Sequence, residues 1–290
     1  MQAAVLTWHE SNLGSWEMAS REPLPILRPF VAKYAAYREH ITGFTRRREV
    51  PERIIPIHIC LGDTIGIGAA GDPAGETRQY RAFVAGPHDT YALSETGGHR
   101  AGIQVNLTLP GARRFLGMPL YELTNRVFEV EDLLGRDGRV LVERLRMAPG
   151  WDACFDILDE VISARVCSAD GLPGDVAWTL GELGETGRAG HPPRISHLAD
   201  ALGYSHKQLI ARFRGELGLT PRTFARITRF EGLLGALKGD GPPRWADLAP
   251  AFGYYDQSHL SRDFRDFMGL SPGAFVRRSV ADNGGVVDTW

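Results

Sequence analysis

The sequence predicts an α+β protein with a β-rich N-terminal domain and an all-α C-terminal domain. Short apolar runs separated by Gly and Pro fill about the first 135 residues, as in a β-sandwich or small barrel. From residue 138 onward the apolar residues keep the three- and four-residue spacing of helices. Residues 193–278 then give one helical pattern twice. A chain of 290 residues is long enough for two domains with separate cores.

The repeat near the carboxyl end predicts a duplicated helical unit. Its copies are 50 residues apart up to Tyr254 and 51 apart afterwards, because Tyr255 is inserted before Asp256. The matching pairs are Leu198-Ala199 with Leu248-Ala249, Gly203-Tyr204 with Gly253-Tyr254, Leu209 with Leu260, Phe213 with Phe264, and Gly218-Leu219-Thr220-Pro221 with Gly269-Leu270-Ser271-Pro272.

Each copy predicts two short helices joined by a tight turn, which is a helix-turn-helix unit. In the first copy Gly203 can end a helix in the left-handed conformation, and Ser205 is placed to cap the next helix. Thr220 is the next predicted cap, and Asp256 and Ser271 are the caps of the second copy. The units span about 195–217 and 245–268, and their second helices span 205–217 and 256–268.

The outward faces of the two second helices favour DNA as a partner. One copy alone would fit an ordinary pair of helices in an all-helical domain better than a DNA-binding unit. Amides, hydroxyls and guanidinium groups on one face match base edges and phosphates, whereas a merely solvated face is richer in Glu and Lys. These outward residues are His206, Lys207, Ile210, Ala211 and Arg214 in the first copy, and Gln257, Ser258, Ser261, Arg262 and Arg265 in the second.

The run from Gly253 to Arg265, followed by Gly269-Leu270-Ser271-Pro272, resembles the DNA-binding domain of the AraC/XylS family of transcription regulators. The resemblance covers about the last hundred residues. It implies two helix-turn-helix units joined by a linker helix, here from Pro221 to about Leu237. At 1.5 Å per residue that helix is roughly 25 Å long. Together with the widths of the helices at its ends, this length is compatible with the ~34 Å between successive major-groove segments.

We predict two sets of DNA contacts. The base-reading set is Lys207, Ile210, Ala211, Gln257, Ser258, Ser261 and Arg262. The phosphate set is Ser205, His206, Arg214, Arg222, Arg265 and Arg277. Ile210 and Ala211 can touch only a thymine methyl or a sugar, so Lys207 is the main polar reader of the first unit. Pro250 lies in the first helix of the second unit, where a proline is expected to kink the helix and change the angle of the unit.

The N-terminal part has three well-marked predicted strands, at Ile54–Leu61, Gln79–Val84 and Gly102–Leu109. The run from Gln104 to Ala112, with Leu116–Pro119, is similar to N-terminal domains in one branch of the same family. That similarity implies a cupin-like β-barrel that senses an effector. Its pocket would be apolar with a few polar anchors. The candidate pocket residues are Trp8, Arg53, His58, Tyr80, Phe83, His88 and Tyr91, each of which is more often a core or surface residue than a ligand contact.

The predicted domain organisation has four parts. A sensor domain covers residues 1–167 and includes closing helices at 138–167. A linker at 168–174, a DNA-binding domain at 175–279 and a disordered tail at 280–290 follow. Three roles are open for the helices at 138–167. They would close the barrel, or they would simply pack within the chain. The resemblance implies a third role, a homodimer seam, for some relatives.

Charge is distributed unevenly along the chain. The net charge of −2 does not by itself indicate a nucleic-acid partner. Residues 1–190 hold 20 Lys and Arg against 25 Asp and Glu, whereas residues 191–279 hold 13 against 8. A basic C-terminal domain fits attraction to phosphate.

Other chemistry has little support in the sequence. Cys60, Cys154 and Cys167 lack C-x-x-C spacing, so we expect reduced thiols in a cytoplasmic protein. The first residues lack the apolar core of a signal peptide, and no run approaches the ~20 apolar residues of a membrane span. The histidines do not have the spacing of a cupin metal site, so we expect no metal and no cofactor. No nucleophile motif occurs, and we assign no catalytic residue.

The sequence therefore predicts a cytoplasmic, non-enzymatic, sequence-specific transcription regulator whose two recognition helices enter successive major-groove segments. Its predicted partners are double-stranded DNA and an unknown small-molecule effector, with RNA polymerase and a second copy of the chain as further candidates. The alternatives are a small-molecule-binding protein with a helical protein-interaction domain, and a cupin-type enzyme. Steep salt dependence of DNA binding separates the first alternative, and a metal in the purified protein would indicate the second.

Overall fold

The computed structural model describes residues 3–11, 14–72, 75–188, 193–237, 243–280 and 285–286. Its N-terminal region is rich in β-sheet, and the described residues between 174 and 278 form helices joined by short turns. The predicted fold class is therefore confirmed.

In the described part of the chain, nine strands form one antiparallel sheet. They are β1 (Val5–Ser11), β2 (Gly14–Arg21), β3 (Val31–Glu49), β4 (Ile54–Cys60), β5 (Ile65–Ile67), β6 (Arg78–Tyr80), β7 (Ala82–Ala85), β8 (Ala92–Thr108) and β9 (Val127–Glu129). The order is β1-β2-β3-β8-β4-β7-β9, and β5 pairs with β6 and β8. The long strands β3 and β8 pair along nearly their whole length, with a register shift between Ile41 and Phe44. They form the centre of the domain.

Helices cover the apolar face of this sheet. They are α1 (Leu109–Leu116), α2 (Val130–Leu134), α3 (Arg136–Met147) and α4 (Trp151–Ser168). Alternate residues of β4 and β8, such as Ile57 and Val105, share one buried cluster with Phe155 of α4. Tyr34 of β3 stacks on Phe155 with 5.8 Å between ring centroids, and its hydroxyl donates to Asp159 at 2.9 Å. The apolar side of α4 therefore packs within the chain.

The C-terminal region consists of seven helices in the part that is described. They are α5 (Gly174–Arg188), α6 (Ile195–Ala201), α7 (His206–Leu217), α8 (Pro221–Ala236), α9 (Trp245–Ala251), α10 (Gln257–Met268) and α11 (Pro272–Arg278). A hydroxyl or carboxylate caps α7, α8, α10 and α11 at their first turns: Ser205, Thr220, Asp256 and Ser271 each accept a hydrogen bond from the backbone amide three residues later.

One predicted boundary in the N-terminal domain was wrong. Gly102–Leu109 was expected to end in a turn, but β8 gives way directly to helix α1 at Leu109. Thr108 caps α1 by accepting from the amide of Gly111 at 3.0 Å. Pro110 lies in the first turn of the helix, where its missing N–H costs nothing. A proline that suggests a turn in the sequence therefore begins a helix.

The tail also differs from its prediction in the residues that are described. Residues 280–290 were expected to be disordered, but β10 (Ser279–Val280) pairs with β11 (Gly285–Val286) in an antiparallel ladder. Val286 is buried in the apolar cluster of the second helical unit. Val286 therefore joins the ladder to the second unit, and residues 281–284 and 287–290 lie outside the described residues. The domain boundaries stay a prediction. Residues 189–192, in the loop expected before the first unit, also lie outside the residues that the structure describes.

Candidate nucleic-acid interface

The turns of the two helical units close in the same way. The amide of Tyr204 donates to the carbonyl of Ala199 at 2.9 Å, and the amide of Tyr254 donates to that of Ala249 at 2.9 Å. Pro250 lies inside α9, yet it leaves this hydrogen bond unchanged. The kink expected at Pro250 is therefore not seen in the turn that sets the angle between α9 and α10.

The second helix of each unit has a buried side that fixes which side faces outward. Leu209 and Phe213 of α7 and Leu260 and Phe264 of α10 are fully buried. These residues recur every four positions, so they lie on one face of each helix. Both helices therefore turn their opposite face to the surface.

The outward residues are accessible in both units. Eight of the ten are exposed and Ile210 and Ser261 are half-buried; the exposed ones are His206, Lys207, Ala211, Arg214, Gln257, Ser258, Arg262 and Arg265. Arg222 and Arg277 are also exposed. Among the residues that the structure describes, Lys207, Arg214, Arg262 and Arg265 form no ion pair through their side chains. Each unit thus presents uncompensated positive charge beside polar side chains.

A buried ion pair holds the inner side of α10. Asp263 is 1% exposed and accepts from Arg226 of α8 at 3.0 and 2.7 Å and from Arg229 at 3.0 Å. Arg229 also lies over the Tyr254 ring, 4.2 Å from its centroid. Desolvation raises the pKa of Tyr254. These contacts tie the recognition helix to the linker helix.

The first unit has an equivalent pairing with the charges exchanged. Asp175 of α5 accepts from Arg212 of α7 and, at 3.0 Å, from the hydroxyl of Tyr204. The Arg212 guanidinium holds the pKa of Asp175 below its usual range. The predicted contact set missed Asp175 and Asp263 because it considered outward positions only. The repeat gives only part of this signal. Arg212 precedes Asp263 by 51 residues, in register with the two recognition helices, whereas Asp175 and Arg226, also 51 residues apart, are one position out of the 50-residue register before Tyr254.

The N-terminal domain contacts the carboxyl end of α10 through hydrogen bonds. Arg48 at the end of β3 donates to the carbonyl of Met268 at 2.8 Å. Thr90, just before β8, donates to the carbonyl of Asp266 at 2.9 Å. Cationic and hydroxyl donors at this end satisfy carbonyls that a helix leaves open and complement its dipole.

The first unit is joined to the N-terminal domain more extensively. Leu217 belongs to the same buried cluster as the sheet residues, so one apolar core runs through both. Arg113 of α1 pairs with Glu216 of α7 at 2.9 Å. Arg53, just before β4, binds Glu231 of the linker helix α8 through both its backbone amide and its guanidinium. The C-terminal halves of both recognition helices are thus anchored, and their N-terminal halves are open.

The sheet face opposite the helices carries a buried polar network. The guanidinium of Arg100 donates to Glu39 at 3.1 Å and to the hydroxyl of Tyr37 at 2.9 Å. The Tyr37 hydroxyl lies 2.9 Å from Nε2 of His58. Burial lowers the pKa of His58 to about 3, and the nearby Arg100 charge adds to this effect. Nε of Arg100 has no hydrogen-bond partner in the described part of the chain.

The seven predicted pocket residues are only partly brought together. His58, Phe83 and Tyr80 form an aromatic group, with centroid distances of 5.2 Å and 5.6 Å. Trp8 is 71% exposed on the edge strand β1. The remaining three lie elsewhere: Arg53 at the linker helix, His88 beside the carbonyl of Gly86, and Tyr91 under Arg48 at the contact with α10. The polar network residues Tyr37, Glu39 and Arg100 were missed, although they occupy alternate positions of predicted β-rich sequence.

Other site chemistry is limited in the ranges that the structure describes. No group of three or more His, Cys, Asp and Glu residues there could hold a metal ion. No described helix has both the length and the apolar character needed to cross a membrane. Cys60 and Cys154 are buried and free, and Cys167 is exposed and free.

Comparison with known proteins places the helical region in a family. A family model described as a helix-turn-helix domain matches residues 198–278. No curated protein matches the sequence. Similar solved structures include ToxT from Vibrio cholerae O395, at 12% identity and a TM-score of 0.47, covering 86% of this chain and 98% of that chain.

Two further solved structures are also similar to this chain. The C-terminal domain of AraT, a response regulator from Geobacillus stearothermophilus, has 21% identity and a TM-score of 0.33, covering 39% of this chain and 92% of that chain. The AraC-like transcriptional activator CuxR has 13% identity and a TM-score of 0.32, covering 77% of this chain and 81% of that chain.

The helix-turn-helix match and the paired recognition helices define the class of this protein, which is a DNA-binding transcription regulator. Its DNA-binding domain is of the AraC/XylS type, so the resemblance that the run from Gly253 to Arg265 predicted is confirmed.

Proposed function

We propose that the protein binds specific double-stranded DNA by placing α7 and α10 in two successive major-groove segments. The observation that carries this proposal is the exposure of both outward faces with unpaired cationic side chains. Recognition helices of this kind contact base edges mainly with their N-terminal residues. In both helices the N-terminal half is the open one.

The proposed base readers are the residues whose side chains leave these open faces. Arg262 and Gln257 in α10 and Lys207 in α7 offer hydrogen-bond donors that can reach guanine or adenine edges. Ser258 and Ser261 add hydroxyls, and Ile210 and Ala211 offer apolar contact to a thymine methyl. The second unit therefore supplies more of the sequence discrimination than the first.

The proposed phosphate contacts flank the base readers. Arg214 and Arg265 lie toward the carboxyl ends of the recognition helices, and Arg222 and Arg277 lie on the helices that follow. Ser205 and His206 stand at the start of α7, where free backbone amides favour an anion. Contacts of this kind set the position of the protein on DNA without reading the sequence.

A selection experiment tests the DNA proposal. The full chain is mixed with a random duplex library, and retained sequences are tested by gel shift between 50 and 200 mM salt, where several phosphate contacts predict a loss of affinity of roughly a thousandfold or more. Enrichment of one sequence with a steep salt dependence supports the proposal. Failure to enrich any sequence, or binding that salt leaves unchanged, contradicts it.

We also propose that a small molecule bound at the polar sheet face regulates DNA binding. The strands β3 and β8 carry residues of the polar network and also lead to the residues that contact α10. β3 bears Tyr37 and Glu39 and ends near Arg48, and β8 bears Arg100 and begins after Thr90. A ligand that shifts β3 against β8 would change the hydrogen bonds that Arg48 and Thr90 donate to the carboxyl end of α10.

The test of regulation uses the full chain and its Arg100→Ala variant. Polar metabolites are screened by thermal shift, and each one that raises Tm is added to the gel shift. Regulation predicts a compound that stabilises the wild type, changes its DNA affinity and does neither in the variant. Compounds that stabilise both proteins equally would place their site elsewhere.

A further inference from the structure

A cleft of about 420 Å³ lies between α8 and α10, beside the start of α6. It is separate from the outward faces of the recognition helices, although Arg262 borders both. Its walls carry five arginines and two aspartates: Arg194, Arg222, Arg226, Arg229, Arg262, Asp263 and Asp266. The cleft thus lies between the two helix-turn-helix units, and its charge is dominated by guanidinium groups.

The two aspartates do not neutralise this charge. Both are engaged by the inner arginines, with Asp263 bound to Arg226 and Arg229 and Asp266 bound to Arg226 at 2.5 Å. Within the described part of the chain, Arg194, Arg222 and Arg262 make no ion pair. Three positive charges therefore remain at the mouth of the cleft.

Arg229 lines the cleft, but its guanidinium is already engaged. Its side chain is 10% exposed and donates to Asp263 at 3.0 Å, and its Nε, which has no hydrogen-bond partner among the described residues, is shielded from solvent. The unpaired charge therefore belongs to Arg194, Arg222 and Arg262. Several guanidinium donors at one opening suit an anion with several acceptor oxygens.

Phosphate fits these features best. Guanidinium groups bind phosphate oxygens with paired, charge-assisted hydrogen bonds, and several of them can share one phosphate. Apolar ligands prefer pockets lined by hydrophobic and aromatic side chains. The charged walls of this cleft disfavour such ligands.

We propose that this cleft binds a backbone phosphate of the DNA segment that lies between the two major-groove contacts. The proposal rests on the DNA-binding function proposed above. When two recognition helices enter successive major-groove segments on one side of a duplex, the intervening minor groove faces the protein. Its sugar-phosphate strands then cross the space between the units. The cleft occupies that space, and Arg194 becomes a phosphate contact outside both recognition helices.

The repeat provides a matched control for Arg194. Arg194 and Arg244 lie 50 residues apart, and each precedes the first helix of its unit as the N-cap residue without a side-chain cap hydrogen bond. Arg194 lines the cleft, whereas Arg244 is 85% exposed and pairs with Asp247. The two substitutions Arg194→Ala and Arg244→Ala remove the same group from equivalent local positions.

The first measurement is the salt dependence of binding to the duplex that the wild-type chain selects. Arg194→Ala is expected to reduce the slope of log affinity against log salt by about 0.9, with the sequence preference unchanged. Arg244→Ala is expected to leave the slope as in the wild type. Equal slopes for all three proteins would overturn the assignment of the cleft to the DNA backbone.

A second measurement uses inorganic phosphate as the probe, titrated calorimetrically into the full chain without DNA. Saturable binding that Arg194→Ala removes, together with unchanged DNA slopes, would assign the cleft to a free phosphate group and overturn the DNA source. A smaller slope of log DNA affinity against log salt in Arg194→Ala, without saturable binding of free phosphate, supports the backbone contact. No effect in either measurement overturns the phosphate site. If the wild type binds no DNA, the proposal that two helices bind DNA fails, and so does the backbone contact. The phosphate titration then shows whether the cleft binds free phosphate.

Discussion

Arg226 donates to one carboxylate oxygen of Asp263 through Nε and Nη2, at 3.0 and 2.7 Å. One repeat earlier, Asp175 and Arg212 make the corresponding pair with the charges exchanged. In both units the helix before the helix-turn-helix therefore holds the inner side of the recognition helix. The repeated unit therefore contains three helices.

Removing the buried carboxylate of Asp263 should destabilise the fold far more than removing the carboxylate of Asp175 in the first unit. Asp263→Asn leaves two arginines without their buried partner and should lower the free energy of unfolding by about 3 kcal/mol. Asp175→Asn should cost about 1 kcal/mol or less, because Arg212 is half exposed and screened by water. Urea unfolding at pH 7 measures both. Equal losses would mean that burial of Asp263 adds nothing to the pairing.

Base reading and phosphate contact should separate in two arginine variants. Arg262→Ala should weaken binding to the selected site by about 1–3 kcal/mol and relax the preference at one base pair. Arg214→Ala should weaken binding to all sequences alike and make the salt dependence shallower. Affinities measured on a panel of single-base variants test both. An unchanged preference in Arg262→Ala would remove that residue from the base-reading set.

The ion pair between Arg53 and Glu231 should couple the N-terminal domain to the linker helix. Both side chains are partly buried, so the coupling free energy in a double-mutant cycle should be about 1 kcal/mol. The cycle compares Arg53→Ala, Glu231→Ala and the double variant by urea unfolding. Because the Arg53 backbone amide also donates to Glu231, Glu231→Ala should cost more than Arg53→Ala. Additive losses would show that the side-chain ion pair adds no coupling between the two regions.

Stability should depend on pH through His58. Its pKa is about 3 in the fold and about 6.5 when the chain is unfolded, so only the unfolded state takes up a proton between these values. The contribution of His58 is complete above pH 6.5 and falls by about 2 kcal/mol on going down to pH 5. His58→Gln should flatten this part of the stability curve. The same slope in the variant would assign the loss to other groups.

The repeat made the helical region predictable in detail. Glycines such as Gly203 and Gly218, with positive φ of 68° and 77°, and capping residues such as Ser205 are local signals that act within a few positions. The contacts between regions were not predictable in the same way. Arg48 reaches Met268 across 220 residues, and neither residue belongs to a motif. The same holds for the cleft, because Arg194 and Arg229 gain their roles from neighbours in space.

The N-terminal domain shows a second limit. Tyr37, Glu39 and Arg100 form its buried polar network, but in the sequence they read as ordinary surface residues of strands. Hydrophobic periodicity identifies the apolar face of a sheet and gives no information on whether the opposite face is covered. Trp8 illustrates the reverse error, since a large aromatic residue suggested a pocket and is exposed. A single sequence therefore located the strands better than it located the buried polar network.

Methylation interference on the selected duplex tests the two-helix arrangement most directly. Guanine N7 methyl groups lie in the major groove, so they block a recognition helix that occupies the same segment. Two clusters of interfering guanines are expected on one side of the duplex, with centres about 10–10.5 base pairs apart. Arg262→Ala should weaken interference in one cluster only. A single cluster, or two clusters half a turn apart on opposite sides, would rule out two recognition helices in successive major-groove segments.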